Sequence, residues 1–205
     1  MTITLSVPTG FVPIPLGDSS EARKAATDAV IAAAGDDLPD RESVAAGLSA
    51  AGKLLREAGA LLAGVFVPPS SGPEHYVTLT WSIGHLPAGG PELGDTESLV
   101  EYARALADVI SQSNPLAVVQ YRDLGCGPTV LVARSTLFRS PDSDVDDDPT
   151  TISTEQVQAI IPLWDGHRLL LVDVSSSTRD HWAESLEIAL EAIDRIRIDP
   201  DDEPT

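Results

Sequence analysis

"EQVQAIIPLWDGHRLLLVDVS", Glu155–Ser175, decides the fold class. Two apolar runs flank Asp165-Gly166. An Asp-Gly pair in that setting predicts a two-residue hairpin, because both central residues of a type I′ turn need positive φ. Upstream, "LAVVQYRDL" (Leu116–Leu124) and "TVLVARSTLF" (Thr129–Phe138) flank the bend Gly125, Cys126, Gly127, Pro128. They read as a second hairpin. Two consecutive hairpins predict an antiparallel sheet.

The remaining elements supply more strands and the helices that would cover the sheet. "ITLSVP" opens the chain as a short strand, and the proline-broken "GFVPIPLG" reads as an edge strand or extended lead-in. Asp18 and Glu21 have capping-box spacing before a first helix that ends at Gly35. Asp40 caps a second helix, with Val44, Leu48, Ala51, Leu55, Ala58 and Leu62 as its apolar stripe. A strand is expected from Ala63 to Val67. In "HYVTLTWSIGHL" the residues Val77, Leu79, Trp81 and Ile83 alternate with polar ones. Asp95 or Thr96 caps a third helix whose inner face is Leu99, Tyr102, Leu106 and Val109. Ser177, helped by Asp180, caps the last helix, with Trp182, Leu186, Ala189, Leu190 and Ile193 inside, and "RIRI" adds a final strand. The expected fold class is α+β, an antiparallel β-sheet with amphipathic helices packed on it. It forms one domain over residues 1–198, with a mobile acidic loop at 140–150 and a disordered acidic tail at 199–205.

Charge narrows the function. The 205 residues carry 32 acidic and 13 basic side chains, a net charge of -19. Phosphate binding needs lysine and arginine to displace counterions, so nucleic acid is excluded as a partner. A protein partner, basic in character, fits better. No apolar run approaches the roughly 18 residues that cross a bilayer. "MTITLSVPTGFVPIPL" has neither a basic n-region nor a continuous apolar h-region, so the expected compartment is the cytoplasm.

Candidate sites are few. Cys126, the one cysteine, precludes an internal disulfide or a cysteine-based zinc site. Its glycine-flanked bend resembles a nucleophile elbow, but a strand follows it, not a helix, so no helix N-terminus lowers the thiol pKa. It is the candidate reactive thiol, weighed against a small residue in a turn. Asp142, Asp144, Asp146 and Asp148 fall at alternate positions and imitate the first ligands of a calcium loop. Asp147 and Ser153 then occupy the positions that require glycine and glutamate, so the pattern fails. His75, His85, His167 and His181 have no metal-ligand spacing. No phosphate loop or G-x-S-x-G is present. No catalytic residue, metal or cofactor is therefore assigned. Trp81 and Trp182 are expected in the core. Trp164, with Asp165, His167 and Arg168, forms a hairpin end that is either a cross-strand pair stabilising the turn or an anchor for a partner.

The segment Val157–Ile198, from "VQAIIPLW" through "AIDRIRI", resembles the closing unit of the PsbP-like α+β fold. The opening Ile3–Leu16, with Pro8, Gly10 and Phe11, resembles its first strand and P-x-G-[FW] phrase. The layout is also similar to small actinobacterial proteins that share the "CGP" bend and the "IPLxDG" hairpin. This chain departs from the lipoprotein members by lacking a lipobox cysteine near its start, and it inserts two helices after the first strand. The resemblance implies binding and assembly, and it carries over no catalytic residue. The functional expectation is a cytoplasmic, non-enzymatic protein-interaction domain, in one version a secretion-system accessory or chaperone. The alternative is a small-ligand binder or an enzyme using Cys126 in a pocket.

Overall fold

A computed structural model describes residues 1–33, 41–71, 75–86, 95–139, 151–176 and 179–199. The elements run β1 (Thr2–Thr4), β2 (Val12–Pro13), α1 (Ser20–Ala33), α2 (Arg41–Glu57), β3 (Ala60–Phe66), β4 (Val77–His85), α3 (Thr96–Ser113) and β5 (Val118–Leu124). They continue with β6 (Gly127–Arg139), β7 (Thr151–Pro162), β8 (Arg168–Ser176), α4 (Trp182–Asp194) and β9 (Arg197–Asp199). Seven strands form one sheet in the order β2-β3-β4-β8-β7-β6-β5, and β1 pairs with β9 in a separate ribbon. Every pairing is antiparallel. The α+β class read from the two hairpins is the class of the structure.

Alternation along the strands makes two different faces. Register aligns Leu131, Ala159, Val172 and Trp81 across β6, β7, β8 and β4, and Ala133, Val157, Val174 and Leu79 in the next row. Helix α4 covers this face through buried Ser185, Ala189, Ala192 and Ile193; the first three are small and let it sit close to β7 and β8. Trp81, Leu79 and Val172 are fully buried, and Phe11 meets the Trp81 ring edge-on at 5.7 Å. Burying each such side chain stabilises the fold by about 1.5–3 kcal/mol. On the opposite face α3 covers Val130, Val132 and Ile160 with Ala103. Along β4–β8 that face is polar where Thr78 and Thr80 lie level with Ser175 and Asp173, while Leu171 and Leu169 continue the apolar cluster.

Several expectations about local structure are corrected. The α1 cap is Ser19, whose Oγ accepts from the Ala22 N–H at 3.1 Å; Asp18 instead pairs with Arg56 of α2. The second helix ends at Glu57, so Ala58 lies in the turn that follows and Leu62 in β3, which begins three residues before the expected Ala63. Val109 is 60% exposed; the buried positions of α3 are Leu99 and Ala103. Asp95 does cap α3, accepting from the Ser98 N–H at 2.7 Å. Helix α4 starts at Trp182 behind His181 in a left-handed conformation (φ 59°), not behind a Ser177 cap. Trp182 is half-buried at the edge of the core, because it stands on the first turn of that helix. Gly35, Asp40, Ser177, the loop 140–150 and the tail from 200 lie outside the described residues.

The 164–167 turn also differs from a type I′ loop. Leu163 N–H donates to the Arg168 carbonyl, and the Gly166 N–H to the Leu163 carbonyl. Only Gly166 has positive φ (68°), and Asp165 does not. The Asp165 carboxylate explains the choice: it accepts from the His167 and Arg168 N–H groups at 3.0 Å each, an Asx-type closure that asks for one left-handed residue only.

Candidate functional site

Helix α4 lies over β7 and β8, while β5 and β6 extend beyond it. At its C-terminal end α4 is tied to the β5–β6 bend, since the Gly125 N–H donates to the Asp194 carboxylate at 2.6 Å. Between helix and outer strands a trough of about 580 Å³ remains. Its walls are Leu186 and Leu190 of α4 on one side and Val118, Gln120, Arg122 and Leu124 of β5 on the other. Leu131, Ala133 and Val157 form the floor. A second hollow of about 270 Å³ shares Val118 and Ala133 and carries the depression on toward Leu116 and Trp182. Leu116 is 93% and Val118 59% exposed, so the apolar surface runs out onto the edge of the sheet. The polar groups stand together in the middle of the β5 wall, between Val118 and Leu124. The Arg122 guanidinium donates to the Gln120 side-chain oxygen at 3.0 Å, and Asp123 stands beside it. The arrangement can hold an apolar group that carries a polar substituent level with Gln120 and Arg122.

Cys126 does not line the trough. It is buried in the core with Leu163 and Ile196, and its sulfur lies 3.5 Å from Thr129 Oγ1. Burial pushes the thiol pKa up, and the nearby Asp194 carboxylate adds to that; the Thr129 contact and Arg197 work against it. A raised pKa leaves less thiolate, the reactive form.

The hairpin-end residues are placed at the β7–β8 turn, away from the trough walls. Trp164 is half-buried, and His167 is exposed with its carbonyl accepting from the Leu86 N–H at 2.8 Å. Burial alone would raise the Asp165 pKa, but the His167 and Arg168 N–H groups and the Arg168 guanidinium together hold it below the ordinary value. Asp165 and Arg168 thus spend their charges on each other.

One cluster has no signal in the sequence, because its two halves, Ser70 with His75 and His181 with Glu184, are more than 100 residues apart. Ser70 Oγ lies 3.1 Å from His181 Nδ1 and donates to the Glu184 carboxylate, and the His75 and His181 rings meet at 5.2 Å. A hydrolytic relay needs the imidazole between hydroxyl and carboxylate, using both nitrogens. Here Glu184 lies 3.9 Å from the same Nδ1 that faces Ser70, so no relay forms. The cluster ties the start of the β3–β4 connection to α4. Among the described residues no group of histidine, cysteine and carboxylate side chains is arranged to hold a metal. No described helix is long and apolar enough to cross a membrane.

The trough could have been sought in "PLAVVQYRDL", where Leu116 and Val118 are apolar at the rim of an edge strand. What the sequence could not supply was the place where α4 stops covering the sheet.

No family model matches the chain, and no curated protein matches it. Among solved structures the chain is similar to LpqN of Mycobacterium tuberculosis, described as involved in cell envelope biogenesis. The TM-score is 0.46 at 14% identity, over 97% of this chain and 84% of that one.

Proposed function

We propose that the protein works by binding, and that the trough between α4 and β5–β6 is its working surface. One observation supports the reading: an apolar concavity of about 580 Å³ opens where Leu186 and Leu190 overhang Leu131 and Ala133 without filling the space beside β5. Cores close-pack, so apolar walls left apart form a surface that gains by taking up another apolar group. The group proposed is an apolar stretch of a partner protein. The net charge of -19 favours a partner that is basic outside that stretch. The hairpin end at Trp164–Arg168 stays a candidate second contact. A secretion-system accessory or chaperone is one form such a protein takes, and the cytoplasm is the compartment proposed, in keeping with a single unpaired cysteine. The PsbP-like assignment likewise remains a proposal. A small apolar ligand is the second reading, because the volume falls in the range of about 300–1,000 Å³ typical of small-molecule sites.

Titration with an anilinonaphthalene sulfonate dye tests the trough. The native protein should bind it saturably, and Ala133→Trp, which fills the floor, should weaken binding at least tenfold with an unchanged melting temperature. Absence of saturable binding, or equal binding by the variant, would overturn the reading.

A further inference from the structure

The two edges of the seven-stranded sheet are unlike. One is β2, two residues long and containing Pro13, a guarded edge. The other is β5, seven residues without proline, glycine or lysine, paired to β6 in unbroken register. No described strand pairs with its outer side.

The register also says which main-chain groups face outward. Asp123 stands opposite Pro128, which has no N–H, so that pair cannot exchange two hydrogen bonds. Alternation then assigns the bonded pairs to Leu124·Gly127, Arg122·Thr129, Gln120·Leu131 and Val118·Ala133. The main-chain groups of Val119, Tyr121 and Asp123 are left facing away from the sheet.

We propose that this edge pairs with β5 of a second copy, antiparallel about a two-fold axis at Tyr121. That register sets Val118 against Leu124 and Gln120 against Arg122, each twice by symmetry. These four side chains share the trough face. On the other face Tyr121 meets Tyr121, each ring carrying an Arg104 guanidinium at 5.1 Å. The neighbouring registers fail: a two-fold at Gln120 sets Arg122 against Val118, and one at Arg122 sets two guanidinium groups together. Arg122 and Asp123 cancel within the strand, so the edge itself carries no net charge, and Val118, 59% exposed, gains cover. Opposing this is the charge of -19 on each copy, which acts at long range and is screened beyond about 8 Å at physiological salt. Association should therefore strengthen as salt rises. The pairing lies beyond the trough reading and stands or falls separately from dye binding.

Sedimentation equilibrium of the full chain at 0.05 and 0.5 M NaCl tests it. The expected result is a monomer–dimer equilibrium tighter at the higher salt. Gln120→Arg, which puts like charges opposite each other at two symmetric places on an exposed position, should weaken it at least tenfold. Adding Arg122→Gln to that variant restores the Arg·Gln pairing and should recover the dimer. Amides of Val119, Tyr121 and Asp123 should gain exchange protection with concentration. A monomer throughout, or a dimer indifferent to Gln120→Arg, would overturn the proposal.

Discussion

The Gly125 N–H donates to the Asp194 carboxylate at 2.6 Å, and a Cβ built on Gly125 would lie 2.3 Å from the Asp194 main-chain oxygen. The bend that carries Cys126 and the last turn of α4 are thus in backbone contact, which fixes the closed end of the trough. Gly125→Ala must separate them and should cost about 2 kcal/mol, an overpacking penalty. Gly47, inside α2 and exposed, meets nothing within 4 Å of an added Cβ. Gly47→Ala should therefore stabilise by about 0.5–1 kcal/mol through helix propensity. Opposite shifts of the urea midpoint check the pair; equal shifts would refute the close approach.

Cys126 should label slowly with iodoacetamide at pH 8 in the native protein and fast once unfolded, because burial both shields the sulfur and raises its pKa. The linkage has a definite sign. A thiol pKa raised by folding contributes stability that is present below the unfolded value, about 8.5, and is lost as pH rises through the folded one. Stability should fall from pH 8 toward 10 more steeply in the native protein than in Cys126→Ala. Parallel profiles would show that the thiol is not shifted.

The class of fold was legible in the sequence because hairpins are local: "IIPLWDGHRLLL" and "VVQYRDLGCGPTVLV" bring their strands together through short turns. Strand order was not, since β4 pairs with β8 across some 90 positions and nothing in "HYVTLTWSIGHL" names its partner. Helix ends were misplaced where two side chains competed for one role. Asp18 has capping spacing, but Arg56 takes its carboxylate and Ser19 caps instead. The trough depends on where a helix sits across a sheet, and periodicity gives the buried stripe of a helix without its lateral position. Leu186 and Leu190 were rightly assigned to the inner side of α4, yet they are only half-buried and line the open space beside β5.

The β7–β8 turn should weaken in acid. Hydrogen bonds from His167, Arg168 and the Arg168 guanidinium hold the Asp165 carboxyl below its usual value despite the opposing effect of burial. A depressed carboxyl contributes stability that is present above the unfolded pKa, about 3.9, and is lost as pH falls through the folded value. Asp165→Ala should cost about 1 kcal/mol at pH 7, a figure reduced for the 29% exposure of the side chain. The difference between the two proteins should shrink below pH 4. A gap that is constant from pH 7 to pH 2.5 would mean that the carboxylate charge does not hold the turn.

His181 is the one described residue other than glycine with positive φ, at 59°. A Cβ in the left-handed region costs about 1–2 kcal/mol. The ring offsets this through its contact with His75 at 5.2 Å and its approach to Ser70 at 3.1 Å. Two truncations separate strain from contact. His181→Ala loses the ring and keeps the strain, whereas His181→Gly loses the ring and relieves the strain. Glycine should therefore be the more stable variant by about 1 kcal/mol, and its better standing than alanine at a helix N-cap acts in the same direction. Thermal unfolding of the two variants decides: if alanine is equal or better, the left-handed conformation is not maintained, and the tether between Ser70 and α4 must be drawn differently.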